Sequence, residues 1–199
     1  MQKEFLNITF ETSVGVAKQL AESDLPEVVF SGKSNVGKSS LINKLLNRKA
    51  IAKVSSTPGK TSTINFFKAL NFRIVDLPGY GYAKVSKAEK LRWQELIDGY
   101  FSSGRDIRLI VQLLDMRHPP TQNDIQMLEF LDNSGYGFMI ALTKSDKLNK
   151  SEFEKRLTSL ETELDFIKSD VTAVPFSAVT GDGADKIREL ILFSISDNN

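Results

Sequence analysis

The chain has 199 residues, of which 41% are hydrophobic and 26% charged, with a net charge of +1 and no cysteine. This length gives one domain with a full core, and no stretch approaches the roughly eighteen apolar residues of a membrane span. The missing cysteines exclude disulfides, thiolate metal sites and cysteine catalysis. Because no basic region leads into an apolar stretch at the start, we expect no secretory signal and a cytoplasmic protein. We also expect the protein to be a monomer.

The predicted strands and helices alternate along the chain without a repeat or a linker, which is typical of a layered α/β domain. We expect a six-stranded, mostly parallel sheet between two layers of helices, with a hairpin that turns near Asn71. The predicted strands are residues 28–31, 62–70, 72–75, 107–114, 138–142 and 171–176. We expect residues 1–26 to form an N-terminal extension that packs on a single domain of residues 27–199.

Helices are predicted at residues 40–46 and 151–164 and near the C-terminus. Ser151 and Glu154 have the spacing of a capping box at the start of the second helix. Helices with one apolar face normally cover a sheet. The apolar faces consist of Phe153, Leu157, Leu160 and Leu164 in the second helix, and Ile187, Leu190, Ile191 and Ile195 in the last.

Residues 32–39 read Gly-Lys-Ser-Asn-Val-Gly-Lys-Ser, between a predicted strand and a predicted helix. Such a turn aims several backbone N–H groups at one anion, with the helix dipole behind them. We expect the β-phosphate of a nucleotide in this loop. Lys38 can reach the β- and γ-phosphate oxygens, and the Ser39 hydroxyl can bind magnesium.

Asp76-Leu77-Pro78-Gly79 follows an apolar strand, so the Asp76 carboxylate lies at the strand end where open α/β sheets bind ligands. We expect Asp76 to hold magnesium through water and the Gly79 N–H to approach the γ-phosphate. The pattern alone is a common turn. Its place 38 residues after Lys38, at a strand end, favours the functional interpretation.

The polar segment 57–61 lies between the first helix and the next strand, where a loop can close over γ-phosphate and magnesium. Thr61 is the expected magnesium ligand in this loop, called switch I. Thr57 is a competing choice, and an ordinary turn threonine stays open for either.

Thr143-Lys144-Ser145-Asp146 and Ser177-Ala178 each follow a predicted strand. The Asp146 carboxylate can accept two hydrogen bonds from guanine that adenine cannot supply. We expect Lys144 along the base plane and the Ala178 N–H at the guanine oxygen. Together these motifs predict binding of GTP or GDP with magnesium.

The expected site residues form three sets. The predicted nucleotide-binding residues are Gly32, Lys33, Ser34, Asn35, Val36, Gly37, Lys38, Ser39, Ser40, Gly59, Lys60, Thr61, Asp76, Gly79, Thr143, Lys144, Asp146, Ser177 and Ala178. The predicted magnesium ligands are Ser39, Thr61 and Asp76. Catalytic roles are expected for Asn35, Lys38, Thr61 and Gly79.

Basic residues concentrate in the front of the chain. Residues 28–75 contain nine basic residues and no acidic one, whereas from Pro120 onward eight basic residues meet fourteen acidic ones. A nucleotide site explains Lys38 and Lys60, but it does not explain Arg48, Lys49 and Lys53. Clustered lysine and arginine also suit a nucleic-acid backbone, so both interpretations stay open.

Four stretches of the sequence resemble the bacterial EngB family of translation-factor-related GTPases. They are residues 32–43, 57–61, 76–83 and 115–118, the third reading Asp-Leu-Pro-Gly-Tyr-Gly-Tyr-Ala. The resemblance covers nearly the whole chain and implies a Ras-like P-loop fold with slow GTP hydrolysis. It also implies a role in large (50S) ribosomal subunit assembly, with division and septation defects on loss. The expected partners are the rRNA and proteins of a subunit precursor, bound through the basic front and the switch regions.

Three residues need comment beside this resemblance. Thr143 stands where many GTPases carry asparagine, which puts its bracing role in doubt. Tyr80 follows Gly79 where Ras-like proteins carry a water-orienting glutamine, and a phenol lacks the paired donor and acceptor of a carboxamide, so slow hydrolysis is expected. Asn35 resembles a residue of potassium-activated GTPases, which makes potassium a possible cofactor. The alternative for Asn35 is a loop residue in an unusual backbone conformation.

Other functions stay open at this point. A signalling GTPase that acts on a protein effector would have the same nucleotide site, but would more often leave an apolar patch near its switches. A P-loop kinase fits poorly, because Asp146 and Ala178 would lack a purpose. Lys84, Lys87, Lys90 and Arg92 form either a solvated helix face or an RNA contact. We expect Trp93 to be a packing residue and His118 a surface residue.

Overall fold

The computed structural model describes residues 5, 7–48, 63–81 and 86–196. Within them, seven strands form one sheet in the order β1-β3-β4-β2-β5-β6-β7. The strands are β1 (Thr9–Val14), β2 (Glu27–Gly32), β3 (Ile64–Lys68), β4 (Arg73–Asp76), β5 (Ile107–Asp115), β6 (Phe138–Thr143) and β7 (Ala173–Phe176). The helices are α1 (Lys38–Leu45), α2 (Lys87–Phe101), α3 (Gln122–Ser134), α4 (Lys150–Glu163) and α5 (Ala184–Ile195).

Helices cover both faces of the sheet. On one face, α1 and α5 bury residues such as Leu41 and Ile187 against the β2 side chains Val28 and Phe30. On the other, α2, α3 and α4 pack against the side chains that alternate with these, such as Val29 of β2. Strands that are buried on both faces have nearly continuous apolar sequences, as the central strands do here. The predicted three-layer α/β fold is confirmed.

The sheet contains one strand more than predicted, because residues of the N-terminal extension join its edge. β1 pairs antiparallel with β3, opposite Ile64–Lys68. The buried Arg73 of β4 holds this segment through Glu11, with Nε 2.7 Å from Oε2, and through Asp24, 2.6 Å away. The Arg73 hydrogen bond lowers the pKa of Glu11. Because an ion pair between distant residues at a sheet edge has no local sequence signature, β1 was not predicted as a strand. The domain boundary at residue 26 stays a prediction.

A second buried carboxylate attaches the start of β2 to the helix layer. Glu27 is fully buried and accepts hydrogen bonds from Arg105 Nη1 at 2.5 Å and from the Tyr100 hydroxyl at 2.6 Å. Arg105 also donates to the Ala21 carbonyl of the extension. Because a buried carboxylate needs partners on all sides, Glu27 fixes both the extension and α2 relative to the central strand.

Two helix predictions were wrong in detail. The capping box of α4 is Asn149 and Glu152, two residues before the predicted Ser151 and Glu154. Asn149 satisfies the same spacing one half-turn earlier and is as good an N-cap as serine. Leu157, expected in the packing face, is 36% exposed, whereas Leu160 is buried.

Two further differences concern α1 and α3. Helix α1 begins at Lys38, two residues before the predicted start at residue 40. Helix α3 was not predicted, and its capping box uses Thr121 with Asp124 in place of the more usual glutamate. Of the helices in the described ranges, none has the length and apolar character needed to cross a membrane.

The strand directions decide where the loops meet. β2 pairs parallel with β4 on one side and with β5 on the other, and β5, β6 and β7 continue the parallel arrangement. The carboxyl ends of these strands therefore lie side by side along one end of the sheet, where open α/β sheets bind their ligands. Below, "edge" means this carboxyl-terminal end and not an outer strand. The motifs that follow β2, β4, β6 and β7 are brought together at this edge.

Candidate functional site

The loop after β2 has the backbone conformation of a phosphate-binding loop. Asn35 and Gly37 both have positive φ, at 63° and 111°. Gly37 immediately precedes α1, and a residue with a side chain would be strained at that angle. The first N–H groups of a helix have no partner within the helix, so the start of α1 suits an anion, and Lys38 and Ser39 lie in this first turn.

Lys38 and Asp76 face each other across the base of this loop. The Lys38 ammonium pairs with Asp76 Oδ1, and Asn65 Nδ2 lies 3.5 Å from Asp76 Oδ2. A serine hydroxyl at position 39 and a carboxylate at 76 are hard oxygen ligands of the kind magnesium prefers when phosphates supply the rest of its shell. Ser39 and Asp76 therefore fit a magnesium ion bound with a nucleotide.

Gly79 packs directly against the phosphate loop. A Cβ atom at this position would lie 3.0 Å from both Ser34 N and Ser34 Cα. The Ser34 N–H donates to the Tyr80 carbonyl at 2.9 Å, and the Tyr80 N–H donates to the Gly32 carbonyl at 3.4 Å. A side chain at position 79 would therefore crowd the backbone of the loop that would hold the β- and γ-phosphates, so glycine suits this position.

Thr143 braces the phosphate loop from the guanine side. Its buried hydroxyl donates to the Val36 carbonyl at 2.6 Å and also lies 3.1 Å from the Leu114 carbonyl oxygen. Asparagine at this position would use an amide donor for the same purpose. Thr143 therefore supplies a hydrogen-bond donor to the Val36 carbonyl of the phosphate loop, and its role at the base stays a prediction.

Lys144 makes a second link between the two loops. This residue has a positive φ of 61°, and its Nζ donates to the Asn35 carbonyl at 3.0 Å. Nζ also lies 2.8 Å from Asp115 Oδ2. The side chain thus links the loop after β6 to the phosphate loop, and its place along the base plane stays a prediction.

Asp115 was not among the predicted site residues. Its carboxylate pairs with Lys144 and with Arg117, whose Nη2 lies 2.8 Å from Asp115 Oδ2. Partial burial acts to raise the pKa of Asp115, but hydrogen bonds from Arg117 and Lys144 outweigh it and hold the pKa well below its usual range. An acidic residue at the end of a central strand, like Asp76, was the available sequence signal.

Asp146 and Ser177 lie together at the far end of the site. The Ser177 hydroxyl donates to Asp146 Oδ1 at 2.8 Å, and this bond lowers the pKa of Asp146. Ser177 Oγ in turn accepts from the Val179 and Thr180 N–H groups, each at 3.1 Å. Asp146 is therefore an acceptor-only carboxylate at neutral pH, as recognition of guanine N1–H and the exocyclic amine requires.

The structure brings most of the predicted residues to one edge of the sheet and leaves a few outside the described part. Those at the edge are Gly32, Lys33, Ser34, Asn35, Val36, Gly37, Lys38, Ser39, Ser40, Asp76, Gly79, Thr143, Lys144, Asp146, Ser177 and Ala178. Gly59, Lys60, Thr61 and the competing Thr57 lie outside the described residues. The roles assigned to all of these residues stay predictions.

Known proteins resemble this chain in sequence. A family model described as "50S ribosome-binding GTPase" matches residues 27–144. A protein of Prosthecochloris aestuarii named "Probable GTP-binding protein EngB" is 48% identical over 186 residues, 91% of this chain and 93% of that protein. One of the same name from Lachnospira eligens is 43% identical over 185 residues, covering 92% and 87%.

Solved structures share the fold. A crystal structure of a probable GTP-binding protein engB aligns with a TM-score of 0.68 and 24% identity, over 86% of this chain and all of that one. Era in complex with MgGDPNP and nucleotides 1506–1542 of 16S ribosomal RNA aligns with a TM-score of 0.65 and 20% identity, over 89% and 59%. At these identities the likeness establishes the fold alone.

Replacing Thr143 tests the brace. Thr143→Val keeps the shape but leaves the buried Val36 carbonyl without its donor, at a cost of about 1–3 kcal/mol. We expect GDP to bind roughly tenfold more weakly or worse, measured by titration with a fluorescent GDP analogue. Thr143→Ser keeps the hydroxyl and is the matched control. Equal GDP affinity in the valine and serine variants would contradict the brace.

Proposed function

Because the chain belongs to the EngB family of GTP-binding proteins, we propose that it is a nucleotide-gated factor in large-subunit assembly, needed for normal cell division. The chain is a P-loop GTPase. The observation that carries the ribosomal proposal is the match of residues 27–144 to a family described by its binding to the 50S ribosome. The same proposal has the protein act as a monomer in the cytoplasm, with magnesium held through Ser39, Thr61 and Asp76.

The contacts of Tyr80 support slow hydrolysis. Its side chain is only 7% exposed, and its hydroxyl is bonded to Asp124 and Gln112. A hydroxyl committed to two partners in the interior does not orient a water for attack on the γ-phosphate. In our proposal GTP hydrolysis therefore times release from the ribosome, and turnover by the protein alone is low.

The path from the γ-phosphate to a binding surface is short. Gly79 lies beside the phosphate loop, and α2 begins at Lys87 after a capping box of Ser86 and Glu89. On this helix Lys87, Lys90 and Arg92 are exposed. A γ-phosphate bound by the Gly79 N–H would thus lie a short way along the chain from three basic side chains, which favours nucleotide-gated contact with RNA.

The end of α1 adds further positive charge on the basic front. Lys44 and the exposed Arg48 lie there, and the Arg188 guanidinium donates to the Lys44 and Leu45 carbonyls at 2.7 and 3.0 Å. Lys49 and Lys53, which belong to the same cluster in the sequence, lie outside the described residues. Basic side chains gathered at one helix end favour a polyanionic partner over an apolar protein effector.

Potassium stimulation is part of the proposal and rests on Asn35. The positive φ of Asn35 fits the alternative, a loop residue in an unusual backbone conformation. The potassium role is supported instead by its side chain, which is exposed at the rim of the phosphate loop. A monovalent cation beside the phosphates would stabilise the charge that develops during hydrolysis.

Turnover measured in potassium and in sodium tests this role. We expect faster GTP hydrolysis in potassium, by about tenfold, and loss of the difference in Asn35→Ala. Asn47→Ala is the matched control, because Asn47 is also an exposed asparagine with positive φ, at 50°. Equal rates in the two salts for the unchanged protein would contradict the potassium proposal.

Co-sedimentation with large ribosomal subunits tests the gating. We expect the protein to pellet with the subunits when loaded with a non-hydrolysable GTP analogue and to stay in the supernatant with GDP. The Lys87→Ala/Lys90→Ala variant should bind more weakly, with a shallower salt dependence by about one unit of slope per lost phosphate contact. Lys150→Ala/Lys155→Ala, on the acidic half of the chain, is the control.

Absence of binding in both nucleotide states would contradict the ribosomal proposal. It would favour the signalling GTPase with a protein effector, because the nucleotide site would be intact without an RNA partner. Binding that is equal with GDP and with the analogue would keep the ribosome as partner but would contradict gating by the γ-phosphate.

A further inference from the structure

The side chain that follows Gly79 is held by a buried polar network beneath the phosphate loop. The Tyr80 hydroxyl donates to Asp124 Oδ1 and accepts from Gln112 Nε2, both at 2.7 Å. We propose that Tyr80 is a positioning residue for the γ-phosphate: its phenol fixes Gly79 so that the Gly79 N–H is already in place when GTP binds.

The phenol is anchored to rigid parts of the fold. Asp124 is 6% exposed, and its other oxygen, Oδ2, accepts from the Thr121 N–H at 2.8 Å and the Thr121 hydroxyl at 2.6 Å. Asp124 thus belongs to the capping box of α3, and Gln112 belongs to the central strand β5. Tyr80 thereby ties the residue next to Gly79 to one helix and one strand outside the nucleotide loops.

The hydroxyl stays protonated throughout the physiological range. Burial, and then the negative charge of Asp124, raise the pKa of Tyr80. The phenol is therefore a neutral donor to a carboxylate, and hydrogen bonds with a charged partner are among the stronger ones in proteins.

Gln112 shows that the network is not ordinary core packing. Its side chain is fully buried, and within the described ranges its Oε1 has no hydrogen-bond partner. A buried amide with one end unpaired destabilises a fold, and an apolar side chain would avoid this cost. Instead, the Gln112 amide donates a hydrogen bond to the Tyr80 hydroxyl oxygen, which an apolar side chain could not do.

The backbone on both sides of Gly79 is held as well. Tyr80 forms an isolated parallel bridge with Lys33 of the phosphate loop. On the other side, the Trp93 indole of α2 donates to the Pro78 carbonyl at 3.2 Å. The predicted packing residue Trp93 therefore also makes a polar contact. Gly79 lies between two fixed neighbours, so little conformational entropy is lost when its N–H binds a γ-phosphate.

This arrangement predicts that loss of the Tyr80 hydroxyl affects the binding of GTP and of GDP differently. The γ-phosphate would contact Gly79, whereas GDP has no group that reaches it. Loss of the phenol hydroxyl should therefore weaken binding of GTP but leave binding of GDP unchanged. A purely structural role would lower stability without changing the ratio of the two affinities.

Tyr80→Phe is the first test, with Tyr136→Phe as its matched control. Tyr136 is a half-buried tyrosine that donates to the Phe101 carbonyl, on a different part of the fold. We expect Tyr80→Phe to weaken a non-hydrolysable GTP analogue about tenfold, the effect of losing one hydrogen bond to a charged group. GDP affinity should stay within about twofold, and Tyr136→Phe should change neither. An unchanged ratio of the two affinities would overturn the proposal, whatever happens to thermal stability.

Two variants of the anchor provide the second test. Asp124→Asn weakens the acceptor of the phenol and should shift the GTP-to-GDP ratio in the same direction as Tyr80→Phe. Thr121→Ala removes one bond of the capping box but keeps the bond between Tyr80 and Asp124, so it should leave the ratio unchanged. The double variant Tyr80→Phe/Asp124→Asn should be no worse than Tyr80→Phe alone. Additive losses would show that the two residues act separately and would overturn the anchor.

Discussion

The hydrogen bonds that hold the phosphate loop from outside are the constraint on which the site depends. Two of its residues, Asn35 and Gly37, have positive φ, and a loop of this kind keeps its shape only when the surrounding structure determines it. Thr143 and Lys144 bind its carbonyls from the guanine side, and Tyr80 binds the Ser34 amide from the other. These bonds hold the loop that leads into α1, whose first N–H groups have no partner within the helix and therefore suit an anion.

An ion pair lies at each end of the site, and both pairs influence the free energy of nucleotide binding. Lys38 is paired with Asp76 at the phosphate end, and Lys144 with Asp115 at the guanine end. Binding of a magnesium nucleotide would break the ion pair between Lys38 and Asp76. Lys38 would then pair with a phosphate and Asp76 with the metal, so two favourable interactions would replace the one that is lost. The Asp115–Lys144 pair keeps the lysine extended before the base arrives, which reduces the ordering that binding requires.

The sequence could predict what depends on local backbone geometry. The phosphate loop and Asp76 could be predicted because Gly37, at positive φ, and an acid at the end of β4 belong to contiguous patterns. Gly79 belongs to the same pattern as Asp76, and Asp146 to a contiguous pattern that follows β6. Pairs across the fold leave none: Tyr80 and Asp124 are 44 residues apart, and Lys144 and Asp115 are 29 apart. For the same reason β1 was missed as a strand, because its place depends on the edge of β3. The EngB resemblance, stated from four short stretches, is confirmed by relatives matched over most of the chain.

Nucleotide selectivity tests the central claim most directly, because it asks whether the site reads guanine through Asp146. Dissociation constants of the unchanged protein for GDP, inosine diphosphate and ADP would be compared by calorimetric titration in magnesium buffer. We expect GDP to bind tightest, inosine diphosphate to lose about tenfold or more because it lacks the exocyclic amine, and ADP to lose about 10⁴-fold because its base leaves the carboxylate unpaired. ADP binding within tenfold of GDP would contradict the account.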